Sequence, residues 1–444
     1  MTVASRWTIV EYGEPQPFIK EMSESSSLSV ADVKLLVDSA GHRVAANLNL
    51  STSPITVERD QIRAVDIAGL LRIAPGIELE IAPKFLGNDT NDTRWREDFF
   101  FLAVLSKHGK VLTSERLHTG RSASRELPML VARTMIEMQR TNSRRPLRTY
   151  RQSNELNFDL DGVVDPETVV LPSPHGFSQE YVRYDRRNIY NATIKAALLS
   201  LQRDVRDPEV RMQLGRAMTE LGAQSPINFP RHRRLPSRSR RWQDMYDLSV
   251  DVLMGMGLTF QPHGSPRSPG YVVSTWQVWE DLLTLAARLG FSESDVHAQK
   301  PLSLGLRTRV EAGMDTEKRR LPVEPDIRIE SIVGSERGPL VLDAKYKTRA
   351  SKKEQRIDEA DVYESLAFAR AAKTDTVILL YPAVPDGPTD ELGSVTTFER
   401  VEVGNVTIHG LQVEVRGIAG SDGLRKFSTA LRSGIDNTVE MQSN

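Results

Sequence analysis

Cysteine is absent from all 444 residues of the chain. That excludes disulfides, zinc knuckles and thiol catalysis, and says little about compartment. No apolar run is long enough to cross a bilayer. The opening Met1-Thr2-Val3-Ala4-Ser5-Arg6-Trp7 lacks the apolar core of a signal peptide, so a cytoplasmic protein with no membrane partner is expected. The eight histidines show no H-x-H or H-E-x-x-H spacing, which removes a histidine-built metal site. No G-x-x-x-x-G-K-[ST] run occurs, so no nucleotide is expected on this chain. G-x-S-x-G is missing too, and Gly255-Met256-Gly257 lacks the strand–turn–helix setting of a dinucleotide site. The net charge of −1 means that local patches must meet any anionic partner.

Lysine is scarce, 14 residues against 44 arginines, yet Lys345, Lys347, Lys352 and Lys353 crowd into one stretch. The two segments Glu324-Pro325-Asp326-Ile327-Arg328-Ile329 and Leu340-Val341-Leu342-Asp343-Ala344-Lys345-Tyr346-Lys347 read as the strands of a hairpin, with turn chemistry at Gly334-Ser335-Glu336-Arg337-Gly338. A turn centred between Ser335 and Glu336 pairs Asp326 with Lys345 and Arg328 with Asp343. Alternation then puts Asp326, Asp343 and Lys345 on one face. Two carboxylates, with the Ala344 carbonyl as a third oxygen, suit Mg²⁺, for which Mn²⁺ can substitute. In a chain that favours arginine, a compact ammonium at this spacing points to a lysine that orients water against a phosphodiester. The pattern is the PD…(D/E)xK arrangement of metal-dependent nucleases. Its bland alternative is a hairpin with solvated charges. Glu280, on the preceding helix, is the candidate extra metal ligand. Lys347 shares the face of Lys345 and is a candidate phosphate contact. Tyr363 and Glu364 fall on the helix that follows.

Around this hairpin the chain reads as multi-domain α+β. Residues 1–105 are expected to form a small N-terminal β domain, a barrel or sandwich. Strands are placed at Val33 to Val37 and on either side of Pro75-Gly76, with Ile77, Leu79 and Ile81 inward and Glu78 and Glu80 outward. Residues 106–240 read as a helical middle region, with helices at Leu127 to Gln139 and Asp185 to Gln202. It ends in a basic stretch over 231–241, where Arg231, Arg233, Arg234, Arg238, Arg240 and Arg241 are candidate DNA contacts, or else a solvated linker. Residues 241–420 contain helices at Trp242 and Ser274, a Gly/Pro/Ser loop from Pro262 to Gly270, the hairpin, a helix from Asp361 to Ala372 and a buried strand from Thr376 to Pro382. This suits a C-terminal α/β domain with a mixed sheet. Residues 421–444 are a helix and a polar tail, frayed from Asp436.

Taken together these segments resemble McrC, the nuclease subunit of McrBC-type methylcytosine-dependent restriction systems. Ile81-Ala82-Pro83-Lys84-Phe85 is similar to the family's I-x-P-K-F strand ending. Asp185 with Asn191-Ala192-Thr193-Ile194-Lys195 is similar to its D…N-x-x-I/L-K helix, and Val296-His297-Ala298-Gln299 to its V-x-x-Q segment. Pro325-Asp326-Ile327, Asp343-Ala344-Lys345-Tyr346-Lys347 and Leu380-Tyr381-Pro382 are the closest matches. Where the family has D-x-Y-Q after the hairpin, this chain has Asp361-Val362-Tyr363-Glu364. A glutamate accepts hydrogen bonds where a glutamine also donates, and it adds negative charge.

The resemblance implies a restriction-endonuclease-like fold for 241–420 and Mg²⁺-dependent cleavage of double-stranded, methylated DNA. Asp326, Asp343 and Lys345 would be the catalytic residues. It also implies a McrB-like AAA+ GTPase hexamer as partner, which the N-terminal β domain would enter and stimulate. Two other functions remain open at this point: a stand-alone nuclease acting on DNA ends or junctions, and a non-catalytic activator of the ring.

Overall fold

A computed structural model describes residues 5–74, 76–87, 94–108, 127–160, 162–171, 173–222, 230–254, 271–291, 295–311, 314–330, 338–346, 356–383 and 391–440. The Gly334–Gly338 turn (apart from Gly338), Lys347, Lys352, Lys353, Gly255-Met256-Gly257 and the Pro262 to Gly270 loop lie outside these residues. The chain forms two compact units, Met1–Glu115 together with Val272–Asn444, and Arg116–Tyr271. The N-terminal segment therefore shares a unit with the hairpin that bears the acids.

The first unit begins with β1 (Ser5–Val10), α1 (Phe18–Glu24), α2 (Val30–Leu48), β2 (Ile55–Glu58), β3 (Gln61–Ala64), β4 (Ile67–Ala74), β5 (Ile77–Ala82) and α3 (Trp95–His108). The strand expected at Val33 to Val37 is instead the middle of α2. Ser29 and Asp32 close a capping box at its start, and Val33, Val37, Ala40 and Val44 recur at helical spacing on a fully buried face. The segment is thus a sheet with helices rather than a barrel or sandwich of strands alone. β5 lies between parallel β1 and antiparallel β4. Glu78 and Glu80 were expected to face solvent, but both are buried. Arg6 and Arg72 hold Glu78 at 2.8 and 3.0 Å, and Arg96 and Thr8 hold Glu80. Such a strand can bury both faces because arginine forks satisfy its carboxylates.

The second unit contains α4 (Leu127–Asn142), β6 (Thr149–Asn157), β7 (Val163–Val164), α5 (Pro166–Val170), β8 (Phe177–Asp185), α6 (Ile189–Asp204), α7 (Pro208–Leu221), a 3-10 turn (Ser237–Trp242) and α8 (Gln243–Leu253). The middle region is therefore not purely helical: β6, β8 and β7 form an antiparallel sheet. Its motif residues are structural. The Asn191 amide donates to the carbonyls of Leu147 and Arg186, and Lys195 donates to that of Gly222.

The first unit resumes with β9 (Tyr271–Ser274), which joins β4, and α9 (Thr275–Gly290). It continues through β10 (Val296–Ala298), β11 (Leu302–Glu311), β12 (Met314–Val323), β13 (Ile327–Ile329), β14 (Leu340–Ala344), α10 (Glu359–Ala372), β15 (Thr376–Pro382), β16 (Val395–Val403), β17 (Val406–Val413) and α11 (Gly423–Glu440). A mixed sheet runs β10-β13-β14-β15-β17-β16, with β14, β15 and β17 parallel. On one face, Val341, Val377, Leu379 and Ile408 pack with Phe368 and Ala369 of α10. By alternation Ile378 and Leu380 face the other side, where Trp279 of α9 reaches the Leu380 carbonyl. Helix α11 is tied to α9 through Ser428 and Arg432, and it continues past Asp436 because Ile435 and Val439 are buried.

Candidate active site

The hairpin register differs from the expected one by two residues. Ile327 pairs with Leu342 and Arg328 with Val341, so one further step sets Asp326 opposite Asp343 rather than Lys345. A shift of two keeps every side chain on its face, and the acids still converge. Asp326 Oδ2 accepts the Ala344 N–H at 2.7 Å. Lys345 Nζ lies 2.5 Å from Asp343 Oδ2, 2.7 Å from Glu364 Oε2 and 3.7 Å from Asp361 Oδ1. At Ala344 it is thus the amide that the structure engages.

Electrostatically the site is strained. Asp343 is only 3% exposed. Burial, then the charge of Asp326, pushes its carboxyl up to about 7 despite Lys345. Asp326 is raised by burial and by Glu280, against the Ala344 N–H that favours its charge. Glu280 is raised as well, by burial and then by Asp281 and Asp343. Burial alone would lower Lys345, but Asp343 and Glu364 outweigh it and hold the ammonium firmly charged. Three carboxyls that resist ionisation around a single cation leave room for more positive charge.

Among the described residues no three acids or histidines already surround a metal position. The donor set nonetheless fits Mg²⁺, which keeps several waters and commonly takes only one or two carboxylates from protein. Asp326 and Asp343 are side by side and supply hard oxygens. Glu280 stands beside them with its Oε1 engaged by the Gln299 side chain.

Two supports gain their role only in the fold: Gln299 ends the V-x-x-Q segment, whereas Glu11 belongs to no motif. Gln299 has φ 46° and its N–H donates to the Asp326 carbonyl at 2.9 Å, while its amide holds Glu280. A non-glycine residue in that region is uncommon and is tolerated where the surroundings fix it. The second support joins distant segments. Glu11, buried at the end of β1, accepts from Tyr346 Oη and from Thr275 Oγ1 at 2.5 Å. The residue before Thr275, Ser274, is the N-cap residue of α9 and makes no side-chain cap. Lys84 lies 3.9 Å above the Tyr346 ring, and Phe85 meets the same ring edge-on. Burial raises Glu11 to about 7, against Lys84 and its two hydroxyl donors. The I-x-P-K-F and D-A-K-Y-K segments are thus one assembly. The Leu380 carbonyl completes it, accepting the Lys345 N–H at 2.9 Å and the Trp279 indole at 3.1 Å.

The basic stretch belongs to the second unit. Arg231, Arg233, Arg234, Arg238, Arg240 and Arg241 are all exposed. The segment is no loose linker. Tyr246 and Gln243 donate to the Arg231 and Arg233 carbonyls, and Gln243 accepts the Leu235 N–H. His232 sits between Asp247 and Asp251 at 3.2 and 3.0 Å. Arg238 stacks over Tyr150 and Tyr184. No described helix is long and apolar enough to cross a membrane.

Comparison with known proteins places the fold and the family. One chain of the assembly of Thermococcus gammatolerans McrB AAA+ hexamers with bound McrC superposes with a TM-score of 0.69 and 13% identity, covering 98% of this chain and 100% of that one. A chain of the Thermococcus gammatolerans McrBC complex gives 0.47 and 15%, over 63% of this chain and 86% of that one. No curated protein matches significantly. The family model for the McrBC 5-methylcytosine restriction system component matches residues 62–382, and the chain belongs to that family.

Proposed function

We propose that this chain is the DNA endonuclease subunit of a modification-dependent restriction system. It cleaves double-stranded, methylated DNA when assembled with a McrB-like AAA+ GTPase hexamer, whose hydrolysis it stimulates. The observation that carries this reading is the convergence of Asp326, Asp343 and Lys345 at the end of β14, an inner strand of the mixed sheet. Family membership and the likeness to a chain from hexamers with bound McrC support the partner.

Asp326 and Asp343 would hold Mg²⁺, with Glu280 and the Ala344 carbonyl as further oxygens. The ion, when bound, would supply Lewis acidity and charge neutralisation at the phosphate. Lys345 keeps its proton at any physiological pH, so it acts as a donor rather than a base. It would orient the attacking water and donate to a phosphate oxygen as negative charge develops in the in-line displacement. Glu364, 49% exposed, holds Lys345 from the solvent side and would give way as the phosphate takes its place. The Glu11–Tyr346 contact fixes the backbone that carries Lys345.

The test is plasmid cleavage with Mg²⁺, on methylated and unmethylated DNA, with and without the AAA+ partner and GTP. Cutting should require partner, nucleotide and methylation, and Asp343→Ala should abolish it while GTP hydrolysis stays stimulated. Parental cutting by Asp343→Ala refutes the site. Cutting by the lone chain makes it a stand-alone nuclease, and stimulated hydrolysis without cutting makes it a ring activator.

A further inference from the structure

β11 and β12 form a two-stranded ribbon outside the six-stranded sheet. Its base adjoins the candidate site: β11 starts three residues after Gln299, and β12 ends three residues before Asp326. Leu302 and Val323 pair across that base and pack on the cluster around α10. Farther out, Arg307 is directly opposite Arg319, Leu306 opposite Arg320, and Thr308 opposite Lys318. Arg307, Arg309, Lys318, Arg319 and Arg320 are all exposed.

Folding alone does not favour this composition. Like charges directly opposite destabilise a strand pair, and a lone two-stranded ribbon is marginal in water. Leu306 and Val310 are 68% and 60% exposed, so no apolar burial offsets the repulsion there. Glu317 lies 2.6 Å from Arg319. The five cations cluster across the middle of the ribbon, from Arg320 to Arg309. Alternation puts Arg307, Arg309 and Arg319 on one face and Lys318 and Arg320 on the other. A ribbon with cations on both faces suits a groove walled by anions on both sides. The major groove of duplex DNA, about 12 Å wide, admits a two-stranded ribbon.

We propose that the ribbon formed by β11 and β12 is a DNA-gripping arm. Its arginines contact the phosphates flanking the major groove while its base delivers the duplex to Asp326 and Lys345. The delivery step rests on the nuclease reading above; the grip does not. Because the contacts are to phosphate, the arm contributes affinity rather than sequence choice.

The test measures binding of the full chain to a fluorescein-labelled duplex of about 30 base pairs, close to three turns. Measurements are made in EDTA to prevent cleavage and across a salt series. Arg307→Gln/Arg319→Gln/Arg320→Gln should weaken binding at least about tenfold at low salt. It should also reduce the slope of log affinity against log salt by about 2 to 3, near one per lost phosphate contact. The lysine triple variant should restore most of the slope. Arg43→Gln/Arg400→Gln/Arg425→Gln, exposed arginines elsewhere in the same unit, should behave as wild type. Circular dichroism and thermal melting confirm that each variant is folded.

An unchanged slope in the ribbon variant, an equal loss in the control, or no binding by the wild-type chain at low salt would overturn the proposal. Parallel cleavage assays separate the two readings. A wild type that never cuts but needs the ribbon to bind keeps the arm and loses the nuclease. A ribbon variant that binds and cuts as wild type keeps the nuclease and loses the arm.

Discussion

Two clusters in this molecule use the same ingredients, two aspartates and one base, to opposite effect. In the second unit each nitrogen of His232 addresses its own carboxylate, Asp247 or Asp251. Those hydrogen bonds raise the imidazole to about 9. Both ring nitrogens are engaged, and the result is a clip that fastens the arginine stretch to α8. In the first unit Asp326 and Asp343 share Lys345, both acids resist ionisation, and Glu280 adds to the crowding. A base engaged by both of its acids holds the chain together; acids that resist ionisation leave room for a further cation.

Mutation should separate the two clusters. Asp343→Asn is expected to lower cleavage by about a thousandfold, roughly 4 kcal/mol of transition-state stabilisation, yet to leave the melting midpoint in EDTA close to wild type. Asp251→Asn should leave chemistry intact in the assembled system but cost about 2 kcal/mol of stability in urea unfolding, since it breaks a partly buried ion pair. If the aspartate at the site proves the more costly to stability, the contrast fails.

pH gives smaller effects. The pKa of folded His232 lies above its unfolded value of 6.5, so its contribution is complete below 6.5 and lost as pH rises through about 9. His232→Gln should flatten the melting profile in that window. Glu11 is also raised, from 4.5 to about 7, but for a carboxyl this means that folding favours the neutral form. Stability on its account is greatest below 4.5 and declines until about 7. Glu11→Gln should shrink that decline, and Asp98, raised to about 6 by burial, should preserve a remnant of it. A Glu11→Gln profile superimposable on wild type would show that the residue is already ionised in the fold.

The site was legible because its signal is local. Pro325-Asp326 and Asp343-Ala344-Lys345 carry period-two spacing that survives a register error of two. The exact register depended on turn residues that spacing alone cannot rank. Helix α2 was misread although Ser29 and Asp32 announce a capping box, because Val33 to Val37 viewed alone has strand composition. Glu78 and Glu80 were placed outside because their arginine partners, Arg6, Arg72 and Arg96, come from three other segments. The ribbon was missed since its alternation is masked by charge on both faces. Glu11 and Thr275 gave no motif and Gln299 only the V-x-x-Q likeness; the fold alone joins Glu11 to Tyr346 and Thr275, and Gln299 to Glu280.

The Glu11–Tyr346 contact also bears on how the chain is made. The two residues are 335 positions apart, with the whole second unit encoded between them. At ribosomal rates of about 5–20 residues per second, Tyr346 follows Glu11 by some tens of seconds. Throughout that interval the nascent polypeptide holds a carboxylate waiting for its hydroxyl. The seat of Lys345 can close only after the second unit has been translated, so an interrupted chain that ends before Tyr346 lacks the finished candidate site.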